Sequence, residues 1–226
     1  MRRLLPLHPE RLLSLAAVLA MLILQTSCAS EREIRASIDG SNEKEGGDSE
    51  LDNNWDPGWN VAMCFLMGMP GTHQNSAGSD ASKENTAPWA LSGQIEVIQK
   101  GSKLDATKTT LSYVNAIGDV LYQYPIKDKG VLYGGLGPYI GYGFAGHVKG
   151  SGFKEPAFGS DGYKRLDGGV HLTAGYRLPV GLSFNLAYEW GLLNKSRFDD
   201  FTSKNRTFSF QLGYSLEKII SGLRKK

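Results

Sequence analysis

The chain has 226 residues and a formal net charge of +2, which fits one ordinary domain or one barrel with a leader. So balanced a total argues against a nucleic-acid binder, and two cysteines, Cys28 and Cys64, cannot build a disulfide scaffold or a zinc site. No internal segment approaches the roughly 20 apolar residues of a spanning helix, which argues against helical membrane proteins and leaves barrels open.

The N-terminus reads as an export signal over residues 1–30. MRRLLPLHPER supplies three arginines, Leu12–Leu24 is an uncharged run that is apolar except for Ser14, and QTSCAS offers small residues for cleavage. Two processing routes stay open. Cleavage after Ala29 or Ser30 suits a general signal peptidase, whereas Thr26-Ser27-Cys28 is a loose lipobox that would leave Cys28 lipidated. Either way the mature chain leaves the cytoplasm. Residues 31–57 follow with nine acidic residues against Arg32, Arg35 and Lys44. They show no sustained period and predict a disordered acidic linker.

From residue 58 the pattern changes to alternation with a period of two, the signature of strands. Trp59, Val61, Met63, Phe65 and Met67 form one apolar row, and Trp89, Leu91, Ile95 and Val97 a second. Further rows are Val114, Ala116, Val120, Tyr122 and Tyr124, then Leu136, Pro138, Ile140, Tyr142 and Phe144. Val170, Leu172, Ala174, Tyr176 and Leu178 continue the series. Leu182, Phe184, Leu186, Tyr188, Trp190 and Leu192 come next, and Phe208, Phe210, Leu212, Tyr214 and Leu216 end it. The intervening residues are mostly Gly, Ser, Ala and Asn with isolated charges.

A soluble sandwich or lipocalin-like barrel would turn the bulky rows inward and cover its outer face with Lys, Glu, Thr and Arg. Small polar residues instead suit a narrow lumen, with the bulky rows facing lipid. The aromatics favour this second arrangement. With the short links 125–129 and 179–181 at one end, Trp89, Tyr122, Tyr124, Tyr176 and Tyr214 gather near that end of their strands. Tyr142, Phe144, Trp190, Phe208 and Phe210 gather near the other. Two such girdles are expected where amphipathic rings settle at headgroup level. Tyr113, Tyr133 and Tyr139 point inward on the same register.

The expectation is therefore an all-β fold, a closed antiparallel transmembrane β-barrel over residues 58–216, followed by a basic tail over residues 217–226. An open edge in hydrocarbon would leave backbone groups unsatisfied, so closure is required. Single-chain barrels of this kind have even strand numbers. Seven strands are read directly, and the eighth is expected before Trp59 or within residues 69–88.

Glu96, Asp119, His171, Arg177 and Glu189 all point inward and predict a paired polar network in the lumen. An eight-stranded interior is filled by its side chains, which leaves no open pore. Metal binding finds no support: His8 lies in the leader, His73 and His147 in predicted loops, and His171 stands alone on its face. There is no nucleophile elbow, and the Gly-rich GGLGPYIGYG has no Lys and opens no helix. No catalytic, cofactor-binding or metal-binding residue is assigned.

SGQIEVIQKGSK, TTLSYVNAIGDVLYQYP, GVLYGGLGPYIGYGF, DGGVHLTAGYRLPVGLSFNLAYEWGLLN and NRTFSFQLGY resemble the outer-membrane β-barrel (PorT-like) family of Bacteroidetes. The resemblance covers roughly residues 89–216, and its most specific piece is GxGPYxGY, Gly135 to Tyr142. The chain departs where the family usually carries a Glu and a Pro, at Asn115 and Ile117. The resemblance implies an eight-stranded barrel integral to the bacterial outer membrane, one branch of the family being associated with type IX secretion and gliding. It brings no catalytic residues.

The functional expectation is a small non-enzymatic outer-membrane barrel with a filled polar lumen, acting in envelope assembly, adhesion or secretion. Its partners are outer-membrane lipid and other envelope proteins, the latter through residues 146–168, where Phe153, Phe158 and Tyr163 sit among Gly and Lys; nucleic acid is not expected. The alternatives are a soluble exported ligand-binding barrel and a narrow porin-like channel.

Overall fold

The computed structural model describes residues 31–46, 54–68, 88–104, 107–158, 162–196 and 202–223. The predicted leader, with Cys28, lies outside them. Among the described residues nine strands and one helix run in chain order: β1 Glu31–Gly46, β2 Asn54–Gly68, β3 Trp89–Leu104, β4 Thr107–Ile126, β5 Gly130–Gly150, β6 Phe153–Pro156, β7 Leu166–Arg177, β8 Leu182–Gly191, β9 Thr202–Ser215 and α1 Leu216–Leu223.

Each strand pairs antiparallel with its neighbours, and β1 pairs with both β2 and β9. Together with the β4–β5 ladder this closes a ring of eight strands. Strand β6 is a short addition to the end of β5, outside the ring.

The eighth strand is β1. It occupies the stretch whose composition predicts a disordered linker, so that expectation fails over residues 31–46. The physical reason is that its charges are not solvated. Glu33, Arg35, Asp39 and Ser41 point into the lumen and are buried, while Ile34 and Ile38 face outward and are exposed. Charge density signals disorder only when water is the partner; here the partners are other strands. At the other end of the chain, residues 216–223, where the expected basic tail begins, form α1. Glu217 accepts hydrogen bonds there from the backbone N–H of Arg32 (3.2 Å) and from Ser215 Oγ (3.1 Å).

Two tight connections define what is called here the turn end. Lys127–Lys129 joins β4 to β5, with Asp128 at φ 58° and the Lys129 N–H donating to Ile126 O at 2.9 Å. Leu178–Gly181 joins β7 to β8, with Gly181 at φ 92°, a backbone conformation that favours glycine. The segments joining β5 to β7 and β8 to β9 lie at the opposite, loop end. Both are shorter than the sequence suggests, because β5 continues to Gly150 and β9 begins at Thr202.

One irregularity changes facing. Tyr113 pairs with Gly143 and Ser112 with Ala145, so Phe144 is an extra residue in β5. Such a bulge shifts the alternation beyond it. Tyr142 faces out before it, and Lys149 faces out after it.

The outer surface is apolar along every ladder. Leu136, Ile140 and Tyr142 are more than half exposed, and Leu172, Leu186, Trp190, Phe208, Phe210 and Leu212 are exposed beside them. Apolar patches on soluble monomers rarely exceed a few hundred Å², whereas this one encircles the molecule.

Candidate functional site

The interior is built by parity. On each strand every second residue points inward, so side chains from eight strands meet along one axis. They form layers from the loop end to the turn end.

At the loop end the layer is apolar. Ile98, Leu111, Tyr113 and Ala157 are fully buried, and Val148, Phe158 and Tyr163 pack against them. The Phe158 ring meets Tyr113 edge-on, with centroids 6.0 Å apart. Phe158 and Tyr163 are thus folded over the barrel mouth. Within the predicted contact segment 146–168 this is a correction: of its three aromatics, only Phe153 stands exposed.

Beneath this cap lies a buried ionic layer. Lys100 of β3 places Nζ 2.5 Å from Glu189 Oε2 of β8 and 3.1 Å from Asp167 Oδ2 of β7. Its ammonium also lies over the rings of Tyr139 (5.0 Å) and Tyr113 (5.3 Å), adding cation–π attraction. Asn205 Nδ2 donates to Asp167 at 2.7 Å, and Lys195 donates to Asn205. Asn115 Nδ2 bridges two carboxylates, at 2.9 Å from Glu96 and 2.8 Å from Glu189. Gln94 donates to Glu96 at 2.9 Å.

Next comes Asp119 of β4, with an oxygen 2.9 Å from Nδ1 of His171 on β7. Strand β5 runs between them, and the residue in the gap is Gly137, which pairs with His171. A Cβ at Gly137 would collide with the backbone of Gly118 and stand 2.8 Å from Asp119 Cα. Strand β5 repeats the device: Gly141 pairs with both Asn115 and Asp167.

The turn end carries the last layer. Arg35 Nε donates to Glu33 at 3.1 Å, and its Nη atoms reach Gln94 (3.4 Å) and Tyr133 OH (3.5 Å). Arg177 pairs with Glu31, stands 3.7 Å from Glu33 and lies 5.5 Å over the Tyr133 ring. Ser183 donates to Glu33, and Tyr133 to Asn185. A shallow opening lined by Glu31, Glu33, Arg35, Cys64 and Arg177 meets solvent here.

Of the five lumen residues read from sequence, Glu96 and Glu189 meet through Asn115, and Asp119 meets His171. Arg177 stands apart from them at the turn end. Sequence reading missed Glu33, Arg35, Lys100, Asn115 and Asp167. The signal for Lys100 was present, since it continues the inward parity of Ser92, Gln94 and Glu96. For Glu33 and Arg35 the signal was the Ile34, Ala36, Ile38 alternation, hidden by the density of charge.

The aromatics named from sequence all lie on the outer surface. Trp89, Tyr122, Tyr124, Tyr142, Phe144, Trp190, Phe208, Phe210 and Tyr214 are exposed, and Tyr176 is half-buried with its hydroxyl donating to Lys129 O at 2.6 Å. Trp89 and Tyr122 meet edge-on at 5.0 Å on the turn-end side.

Chemically this interior pairs buried charges between strands. Buried ion pairs add little net stability but are costly to break singly.

No curated protein matches the chain in sequence. Among solved structures the chain is similar to Ail, the attachment invasion locus protein of Yersinia pestis, at 17% identity and a TM-score of 0.41, over 82% of this chain and 98% of that one. It is also similar to Neisserial surface protein A at 11% identity and a TM-score of 0.46, over 83% and 99%. Residues 47–197, from before β2 to just past β8, match the family model described as outer membrane protein beta-barrel domain. The chain therefore belongs to the outer membrane protein beta-barrel domain family and is integral to the outer membrane.

Proposed function

We propose that this chain is a non-enzymatic outer-membrane barrel that serves envelope assembly, adhesion or secretion through its surfaces rather than through its bore. The observation that carries this reading is the Lys100–Glu189 contact, which crosses the lumen and supports a filled bore. The apolar cap over Tyr113 supports it at the loop end. The resemblance of residues 89–216 to the PorT-like family of Bacteroidetes supports a place among envelope barrels of that group. Residues 1–30 act as a cleaved export signal, with Cys28 a lipidation site if the lipobox is used. Within residues 146–168, Phe153 and Lys164, both exposed, form the contact surface for other envelope proteins.

Planar-bilayer recording of the purified barrel tests the reading. No steady conductance is expected. A steady ohmic conductance abolished by a bulky residue beside Lys100 would replace it with the narrow-channel alternative. Membership of an outer-membrane family sets aside the soluble ligand-binding barrel.

A further inference from the structure

The β3–β4–β5–β6 ladders bring four lysines into one row. Lys103 pairs with Lys108, Lys108 with Lys149, and Lys149 with Lys154. Residues directly opposite in neighbouring strands project on the same side, and like charges there destabilise a sheet. All four side chains are exposed. Among the described residues, only Lys108 of the four has a carboxylate partner, Asp56 Oδ1 at 2.9 Å.

Lysines are common on sheet edges, where they discourage pairing with other chains. That accounts for Lys154 on β6. It does not account for Lys103, Lys108 and Lys149, whose strands are paired on both sides.

The position of the row points to its counter-charge. On β5 it lies five residues beyond Phe144 on the outward face, past the last aromatics of that strand. At about 3.3 Å per residue and the usual tilt of barrel strands, this is a rise of roughly 12–13 Å. The row stands above the headgroup level marked by the girdle, and the lysine stems, about 6 Å long, reach back down toward the headgroups. Trp55 on the neighbouring strand β2 is half exposed, its ring beside Gly40. The row stands on paired strands of the barrel wall rather than on a loop tip, which favours lipid over a protein partner.

We propose that Lys103, Lys108, Lys149 and Lys154 form a binding site for phosphorylated lipid headgroups in the leaflet at the loop end. The anionic headgroups neutralise a row that repels itself, and the barrel carries a specific lipid shell on this flank.

Tryptophan quenching by brominated phosphatidylcholine, with phosphatidic acid as competitor, tests the proposal on the full barrel in vesicles. The expected relative binding constant of phosphatidic acid in the wild type is about tenfold or more above that of phosphatidylcholine, and it falls with added salt. The variant K103Q/K108Q/K149Q/K154Q brings it close to one. In pure phosphatidylcholine that same variant unfolds at an equal or higher temperature than the wild type, because repulsion has been removed. A wild-type constant near one overturns the proposal whether or not the variant folds, and so does a constant unchanged by the four substitutions. Competition by inorganic phosphate beyond that of chloride at equal ionic strength overturns the lipid assignment in favour of a free-phosphate site.

Discussion

Lys100 on β3 and Glu189 on β8 meet at 2.5 Å although their strands stand on opposite sides of the ring, four strands apart in either direction. One side chain from each wall therefore spans the lumen. Replacing Lys100 by Met leaves Glu189 and Asp167 buried without their cation, and removing one partner of such a pair costs about 3–5 kcal/mol. The temperature at which the barrel loses its compact gel mobility is expected to drop for Lys100→Met. It should recover in part for Lys100→Met combined with Glu189→Gln, because the second change removes the orphaned charge. Equal losses in the single and double variants would count against direct pairing.

The outer face carries the opposite rule. Leu186 pairs with Phe210 on β9 and Ala174 on β7 in the middle of the apolar band. An arginine at the bilayer midplane of a barrel costs about 2–4 kcal/mol, and far less near the interfaces. Denaturant titration in lipid should place Leu186→Arg in that range, while Leu192→Arg, beyond the loop end of β8, should change stability by well under half as much. Equal costs at the two positions would mean that no hydrocarbon lies against this face.

Strand β1 closes the ring between β2 and β9. Deleting residues 31–46 would expose two edges to hydrocarbon, each unsatisfied backbone group costing several kcal/mol. The shortened chain is expected to fail to assemble into a heat-modifiable barrel in vesicles. An unstructured linker could be deleted without that loss, so a deletion variant that still folded would restore the linker reading.

How much of this was legible in the sequence depends on what each residue answers to. The rows through Leu186, Phe210 and Ile140 answer to lipid, a uniform solvent, and their period of two is plain. The sorting of Trp89 and Trp190 to opposite strand ends follows from the same cause. Inward parity was legible for Glu96, Asp119, His171 and Glu189, yet their partners were not. Which inward residue meets which depends on strand order and stagger around the ring, and Lys100 finds Glu189 only after closure. Strand β1 was hidden because Glu33, Arg35 and Asp39 look solvated until the chain supplies a lumen for them. The Phe144 bulge and the fold of Phe158 and Tyr163 over the mouth arise from contacts between distant segments, which local pattern does not carry.

The central claim is that the oily rows touch acyl chains and the small polar rows fill the interior. Spin labels on single cysteines introduced at Leu172, Leu186 and Phe210, with Cys64 replaced by Ser, test it most directly in reconstituted vesicles. Collisions with molecular oxygen, which concentrates in hydrocarbon, are expected to exceed those with a water-soluble nickel chelate at all three sites. Nickel access equal to or greater than oxygen access at these positions would place them in water or in a protein core and contradict the account.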